Sequence, residues 1–381
     1  MIKVQCKEDC CGCHACATVC AKHCITMKTD DEGFLYPVVD KDACIDCGLC
    51  EKVCPVINQS EPRKPLKVYA AKNKNEEIRH LSSSGGIFTL LAEKVINEGG
   101  VVFGARFNEK WDVVHAWSDT IEGIANFRGS KYVQSTIGDT YREVKDFLKQ
   151  DRKVLFSGTP CQIAGLRKFL RKEYDNLLTV DLICHGVPSP LAFKSYLLEE
   201  LSLHNKLQTD IKDICFRRKY TKGGSGFQIE FKNNEKLDVM RLQHAYSIGF
   251  SSNLFLRPSC YHCAEKSLKS GSDITLGDYW GGEKVHGDYC DSKGISVVLI
   301  NTKKGTDWIE QIRKDWMISD YKFVVKYNSS VSESVKSHKR RAEFFENMEK
   351  EPFSILTNRL LRKTLFQRVV DIATRIFKKF K

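Results

Sequence analysis

Six cysteines fall within residues 10–24, CCGCHACATVCAKHC. Thiols at this density bind soft metal ions or iron–sulfur cores, whereas a single reactive thiol needs no such company. The run C-x2-C-x2-C-x3-C fits in one register only, Cys10, Cys13, Cys16 and Cys20, because a start at Cys11 puts His14 where a ligand is required. A second copy, CIDCGLCEKVCP, supplies Cys44, Cys47, Cys50 and Cys54, followed by Pro55. Two such runs are the signature of a bacterial-type two-cluster ferredoxin module, in which the fourth cysteine of each run ligates the other cluster. The spacing therefore assigns Cys10, Cys13, Cys16 and Cys54 to one 4Fe–4S cluster, and Cys44, Cys47, Cys50 and Cys20 to the other. Ala21 stands where the second run has Pro55, a position that stiffens the turn and donates no ligand. Cys11 and Cys24 are left over and read as small buried residues or incidental thiols. Two rival readings fail on economy. A radical-SAM spacing at Cys6, Cys10 and Cys13 strands Cys16 and Cys20, and a zinc ribbon leaves half the thiols unused.

Cys161 and Cys184 each follow an apolar stretch, in KVLFSGTPCQIAGL and LLTVDLICHGVPS, that reads as a strand ending in a turn. The carboxyl ends of neighbouring strands are where α/β sheets put their sites. Together with Cys260 and Cys263 of RPSCYHCAEK they make four thiols, enough for a third cluster. Spacing this wide is not diagnostic by itself, and each of the two single cysteines also reads as a buried structural thiol.

The elements that must hold these residues give an α+β chain. Residues 1–57 form the ferredoxin module, with ITMKTDDEGFLYPVVD as a hairpin covering the clusters. Residues 58–67, NQSEPRKPLK, are a linker by composition. Residues 68–335 read as a larger α/β domain with a mixed sheet. KVYAAKN, VVFGARF and DVVHAWS are strands, and SSSGGIFTLLAEKVINEGG and TYREVKDFLKQ are helices. GGSGF at 223–227 reads as a loop, and no G-x-G-x-x-G, P-loop or H-E-x-x-H motif is present. Residues 336–381 are expected as a basic helical tail. From Ser354 to Lys381 eight Lys or Arg face a single acid, Asp371, so this stretch carries seven of the twelve net positive charges. Leu361, Leu365, Val369, Ile372, Ile376 and Phe380 form one apolar stripe along it. Docking on the protein's own core, a peripheral contact with anionic lipid and partner binding are the three readings of that helix. Charge so concentrated does not describe a nucleic-acid binder. With no long apolar span and no signal peptide at MIKVQCKEDC, seventeen cysteines point to a reducing cytoplasm, with the inner face of the membrane as the place a lipid-binding tail would take it.

The blocks CCGCHAC, DEGFLYP, CIDCGLCEKVCP, SSSGGIF, RGSKYVQS, SGTPCQIAGL, DLICHGVPS and SDITLGDYWG resemble the family of coenzyme F-420 hydrogenase/dehydrogenase beta subunits over roughly residues 8–330. The resemblance implies an iron–sulfur flavoprotein, with FAD favoured and FMN as the alternative. It implies that Cys161, Cys184, Cys260 and Cys263 hold a third 4Fe–4S cluster. Ser83, Ser84, Gly85 and Gly86 open a helix, where free N–H groups and the helix dipole favour a phosphate or a polarised flavin edge. Lys131 would supply a cation for the pyrophosphate, Tyr132 a stacking ring and Thr159 a hydrogen bond, while His185 and Asp278 would be proton donors. Reduced ferredoxin or another electron-transfer protein is the implied electron partner and a small molecule the implied acceptor. Many bacterial relatives lie among genes for surface polysaccharides. A non-catalytic electron-transfer subunit of a larger complex is the alternative.

Overall fold

The computed structural model describes residues 1–220, 224–240, 243–291 and 293–362. The module's hairpin pairs Ile25–Thr29 (β1) with Leu35–Val39 (β2), Ile25 opposite Val39. Its turn is held by the Asp30 carboxylate, which accepts the N–H groups of Glu32 and Phe34.

The large domain is built on an eight-stranded mixed sheet. Its strands are Lys67–Ala71 (β3), Val101–Phe107 (β4), Val113–Ser118 (β5), Val154–Gly158 (β6), Leu177–Leu182 (β7), Ile274–Asp278, Ser296–Ile300 and Met317–Ile318. A separate three-stranded antiparallel sheet comprises Ile211–Lys219 (β8), Ser225–Phe231 (β9) and Lys236–Met240 (β10), so the last three strands of the large sheet are β11, β12 and β13. The order in the large sheet is β13-β3-β12-β11-β7-β6-β4-β5. β4, β6, β7 and β11 run parallel to one another in the centre, and the flanking strands are antiparallel.

Alternation places these strands between two cores. Val102, Leu155, Leu178, Val180, Leu276 and Val298 face the helices Ile87–Asn97 and Lys303–Ile312. Val101, Phe103, Val154, Phe156 and Leu177 face Thr140–Lys149 and Pro160–Leu170 on the other side. The ferredoxin module joins this second core through Cys13, Ala15 and Val53. A Cβ at Gly165 would lie 2.9 Å from Cys13 Cβ, so only glycine lets the helix Pro160–Leu170 come this close to the module.

Two expectations change here. GGSGF is the start of β9 from Ser225 onward, because Phe227, Ile229 and Phe231 alternate inward into a third core with Phe193, Tyr196 and Tyr246. Of the segment from 336 expected as a tail, the described part packs against the body of the protein. Its helices Arg341–Asn347 and Phe353–Leu361 bury Phe344, Phe353, Leu356 and Leu360 in that same core. The rest of the expected amphipathic stripe, from 363 on, lies outside the described residues. No helix among the described residues is long and apolar enough to cross a membrane.

Candidate redox site

The parallel strands bring their carboxyl ends to one edge of the sheet, and the segments singled out in the sequence meet there. Thr159 follows β6 and caps the helix Pro160–Leu170, with Gln162 reaching back to the Thr159 N–H at 2.9 Å. Pro160 at the first helical position presets the turn. Cys161 is thereby held in the first turn, 3.2 Å from the Thr159 hydroxyl. Cys184 and His185 follow β7, the neighbour of β6. Cys260 and Cys263 come from the short helical turn Pro258–His262 and the residue after it.

All four of these cysteines line one cleft that opens to solvent, together with Cys11, His185, Glu265 and Lys266. Backbone donors already point at this thiol set. Val187 N–H lies 3.4 Å from Cys260 Sγ, and Lys266 Nζ ties the Cys184 carbonyl to that of Ser330 at 2.7 and 2.6 Å. Burial pushes the Cys184 thiol up to about 12 and raises Cys260 and Cys263 as well. Cys161 is raised first by its contact with Cys11 and then by burial. Four half-buried thiols whose ionisation is disfavoured make a poor nucleophile. A cationic iron core that neutralises the thiolates fits them.

In the module, Cys16 lies within electrostatic reach of Cys10 and Cys54, and Cys13 of Cys10 and Cys16. These are the four thiols that the crossed spacing assigns to one cluster, and Cys16 is also within reach of Cys50, which it assigns to the other. Of the second set, Cys50 Sγ accepts the Ile2 N–H at 3.1 Å and Cys44 Sγ that of Asp46 at 3.4 Å, while Cys47 is exposed. Cys20 Sγ stands 3.4 Å from Cys24 Sγ, so the leftover Cys24 is not remote from the ligands. Neither is Cys11, which touches Cys13 on one side and Cys161 on the other. Among the described residues no three His, Cys, Asp or Glu side chains converge closely enough to hold a single metal ion.

The segments expected to hold a flavin form a corner on the same edge. Ser83 Oγ accepts the Ser130 N–H at 2.7 Å, which joins the Ser-Ser-Gly-Gly turn to the loop of Lys131 and Tyr132. Three details differ from expectation. The Gly85 N–H is not free but donates to Ser296 Oγ at 2.9 Å. Lys131 Nζ folds back onto the carbonyls of Asn126 and Arg128, at 2.6 and 2.9 Å. Asp278, at the end of β11, is ion-paired with Arg217 at 2.6 Å, so its carboxylate orients that cation.

Arg217 and Lys219 are functional candidates that the sequence reading passed over. Both come from β8, where a register shift between Cys215 and Arg218 re-aims the side chains. Lys219 Nζ donates to the carbonyls of Arg79, Ser84 and Lys293 at 2.8, 2.6 and 2.6 Å, and burial lowers its pKa to about 8. Arg217 Nε is buried with no hydrogen-bond partner among the described residues. A buried guanidinium N–H without an acceptor costs free energy, and an anionic or carbonyl oxygen of a ligand would satisfy it. The corner therefore fits a phosphate-bearing or flavin ligand. The run FRRKY, three cations in succession on a strand, was the available signal.

Aromatic rings connect the two halves of the edge. The His185 ring meets Phe250 edge-on at 5.2 Å, and Phe250 stacks on Tyr132 at 4.7 Å. His185 also shares a hydrogen bond with Asn253 Oδ1 at 2.7 Å.

Comparison with known proteins matches this layout segment by segment. Residues 9–58 match a 4Fe-4S dicluster domain. Residues 68–140 and 151–321 match the N-terminal and C-terminal parts of the coenzyme F420 hydrogenase/dehydrogenase beta subunit. The chain is 23% identical to a subunit of the F(420)H(2) dehydrogenase of Methanosarcina mazei, covering 82% of this chain and 85% of that protein. It is 24% identical to the coenzyme F420-dependent sulfite reductase of Methanocaldococcus jannaschii, covering 78% of this chain but only 45% of that longer protein. Among solved structures, a chain of the F420-reducing [NiFe] hydrogenase complex from Methanosarcina barkeri is similar, with a TM-score of 0.46 and 19% identity over 76% of this chain and 91% of that one.

Proposed function

This chain belongs to the family of coenzyme F420 hydrogenase/dehydrogenase beta subunits and carries an iron–sulfur dicluster domain, and on that premise we propose that it is an iron–sulfur flavoprotein oxidoreductase. In this reading it passes electrons between ferredoxin-type 4Fe–4S clusters and a bound flavin, which exchanges hydride with a small molecule or a deazaflavin coenzyme. The observation that carries the reading is the convergence of Cys161, Cys184, Cys260 and Cys263 on one cleft, with the Ser83–Gly86 corner on the same sheet edge.

Cys10, Cys13, Cys16 and Cys54 would hold the first cluster, Cys44, Cys47, Cys50 and Cys20 the second, and the cleft cysteines a third. Flavin, when bound, supplies the conversion between single electrons and a hydride pair. The chain's own residues would position it. Arg217 offers its unpartnered Nε, held in place by Asp278, and Lys219 fixes the Ser84 carbonyl and so the shape of the turn. Thr159 stands beside Cys161, and the Tyr132 hydroxyl interacts with Arg217. His185 would handle the accompanying proton, while Asp278, paired with Arg217, would orient that cation. Reduced ferredoxin is the proposed electron donor, and surface polysaccharide metabolism the proposed setting.

Anaerobic purification tests this directly: the expected content is about twelve iron and one flavin per chain, three four-iron clusters being required. About eight iron without flavin supports the alternative, a non-catalytic electron-transfer subunit of a larger redox complex. Flavin reduction by dithionite, followed by reoxidation with candidate acceptors, separates the two.

A further inference from the structure

Arg257 is fully buried, and none of its acceptors is charged. Its Nε donates to the Cys10 carbonyl at 2.7 Å, Nη1 to Gln134 Oε1 at 2.9 Å and Nη2 to the Leu35 carbonyl at 2.9 Å. The guanidinium lies over the rings of Tyr36, at 4.4 Å, and Phe34, at 5.3 Å. It is also pressed against the cysteine loop, since a Cβ on Gly12 would come within 2.8 Å of Nη1. The nearby carboxylates are engaged elsewhere, Asp30 with Lys7 at 2.8 Å and Glu32 with Arg341. Among the described residues no carboxylate forms an ion pair with Arg257.

A buried cation without a counter-charge is costly, because its lost hydration is not repaid. Arginine stays charged in proteins, so this cation cannot escape the cost by losing a proton. Neutral carbonyls and ring faces recover part of that energy. The largest negative charge that the cysteine assignment brings to this spot is the cluster of Cys10, Cys13, Cys16 and Cys54. An oxidised cubane with a 2+ core and four thiolates carries −2, and one electron makes it −3. A fixed positive charge in a low-dielectric wall stabilises the −3 state more than the −2 state. Net charge is one of the terms that set cluster potentials.

We propose that Arg257 is the built-in counter-charge of the Cys10/Cys13/Cys16/Cys54 cluster and raises its reduction potential relative to the cluster on Cys44, Cys47, Cys50 and Cys20. Arg257 is a positioning and potential-setting residue that ligates nothing. It also stands three residues before Cys260 and accepts the Cys260 N–H on its own carbonyl at 2.9 Å, so it ties the first cluster's loop to the third cleft. Its effect is to make the inner ferredoxin cluster the preferred resting place for an electron on its way to that cleft. This inference rests on the cluster assignment above.

The test is a dithionite potentiometric titration of the full-length anaerobic protein, followed by electron paramagnetic resonance. The wild type is compared with Arg257→Gln and Arg257→Lys, and a Cys47→Ser chain identifies which signal belongs to which cluster. At the potential where the wild-type inner cluster is half reduced, Arg257→Gln lowers its reduced-to-oxidised ratio about tenfold, which for one electron is about 59 mV. Arg257→Lys recovers most of that shift, and the outer cluster moves far less. Unchanged midpoints in Arg257→Gln at full iron content overturn the proposal, as do equal shifts of every cluster. Equal shifts or equal iron loss in the Gln and Lys variants also overturn it, because shape rather than charge would then be what Arg257 supplies. A wild-type protein without cubane signals fails the cluster assignment instead.

Discussion

Cys184 sits just past the end of β7, where burial holds its thiol near 12 and it gains nothing from being free. A ligand role makes that burial intelligible, and it predicts a defined loss. Cys184→Ser should lower the iron content from about twelve to about eight per chain and leave both ferredoxin signals in place, since those clusters take their thiolates from a separate module. Elemental analysis with low-temperature spectra reads this out, and unchanged iron would remove Cys184 from the ligand set. Buried histidines make a second prediction at this scale. Burial lowers His115 to about 4, where it sits between the Ser157 carbonyl and Ser135 Oγ, and lowers His244 to about 3. Both are neutral in the fold, while the unfolded chain takes up protons near pH 6.5. Their contribution is therefore complete above pH 6.5 and is lost as pH falls toward the folded values. At pH 5 each costs about 2 kcal/mol of stability. Urea unfolding at pH 7 and pH 5 should show the fall, and the pair His115→Gln and His244→Gln should reduce it, with His14, also lowered to about 4, keeping a share.

At the scale of elements, the helix Pro160–Leu170 carries both Cys161, a proposed ligand, and the contact with the module. Gly165→Ala forces a methyl against the Cys13 side chain, an overpacking worth about 1–3 kcal/mol. Denaturant unfolding of the anaerobic protein measures it, and the loss should come with a perturbed signal from the Cys13 cluster. Arg217→Gln should leave the fold intact and weaken flavin retention about tenfold, roughly 1.4 kcal/mol, read by equilibrium dialysis of the reconstituted protein. These elements also show what was legible beforehand. The ferredoxin cysteines could be read because a cubane dictates the spacing of ligands along one short loop. The central strands and their helices could be read because alternation and helical period survive locally, as in VVFGARF and TYREVKDFLKQ. The corner proposed for flavin was marked only in part, since it is assembled from β8, the turn at Ser83, the loop at Ser130 and the end of β11, and its contacts are largely to backbone. The β9 strand was hidden by its glycines, whose burial depends on Phe193 and Tyr246 arriving from other segments.

Across the whole molecule, the third core depends on residues that look dispensable in the sequence. Phe344, Phe353, Leu356 and Leu360 fill it beside Phe255 and Tyr246. A chain ending at residue 335 should therefore fail to fold, whereas one ending at 362 keeps every buried side chain of that core among the described residues. Phe353→Ala alone should cost about 3–5 kcal/mol, checked by the urea midpoint of the anaerobic protein. The same distant segments reach back to the first residues. Arg341 clamps Glu32 in the hairpin turn, and Arg257 holds the carbonyl of Cys10. Both latches are translated long after the module they secure, so a chain that folds as it is synthesised completes these contacts only near the end.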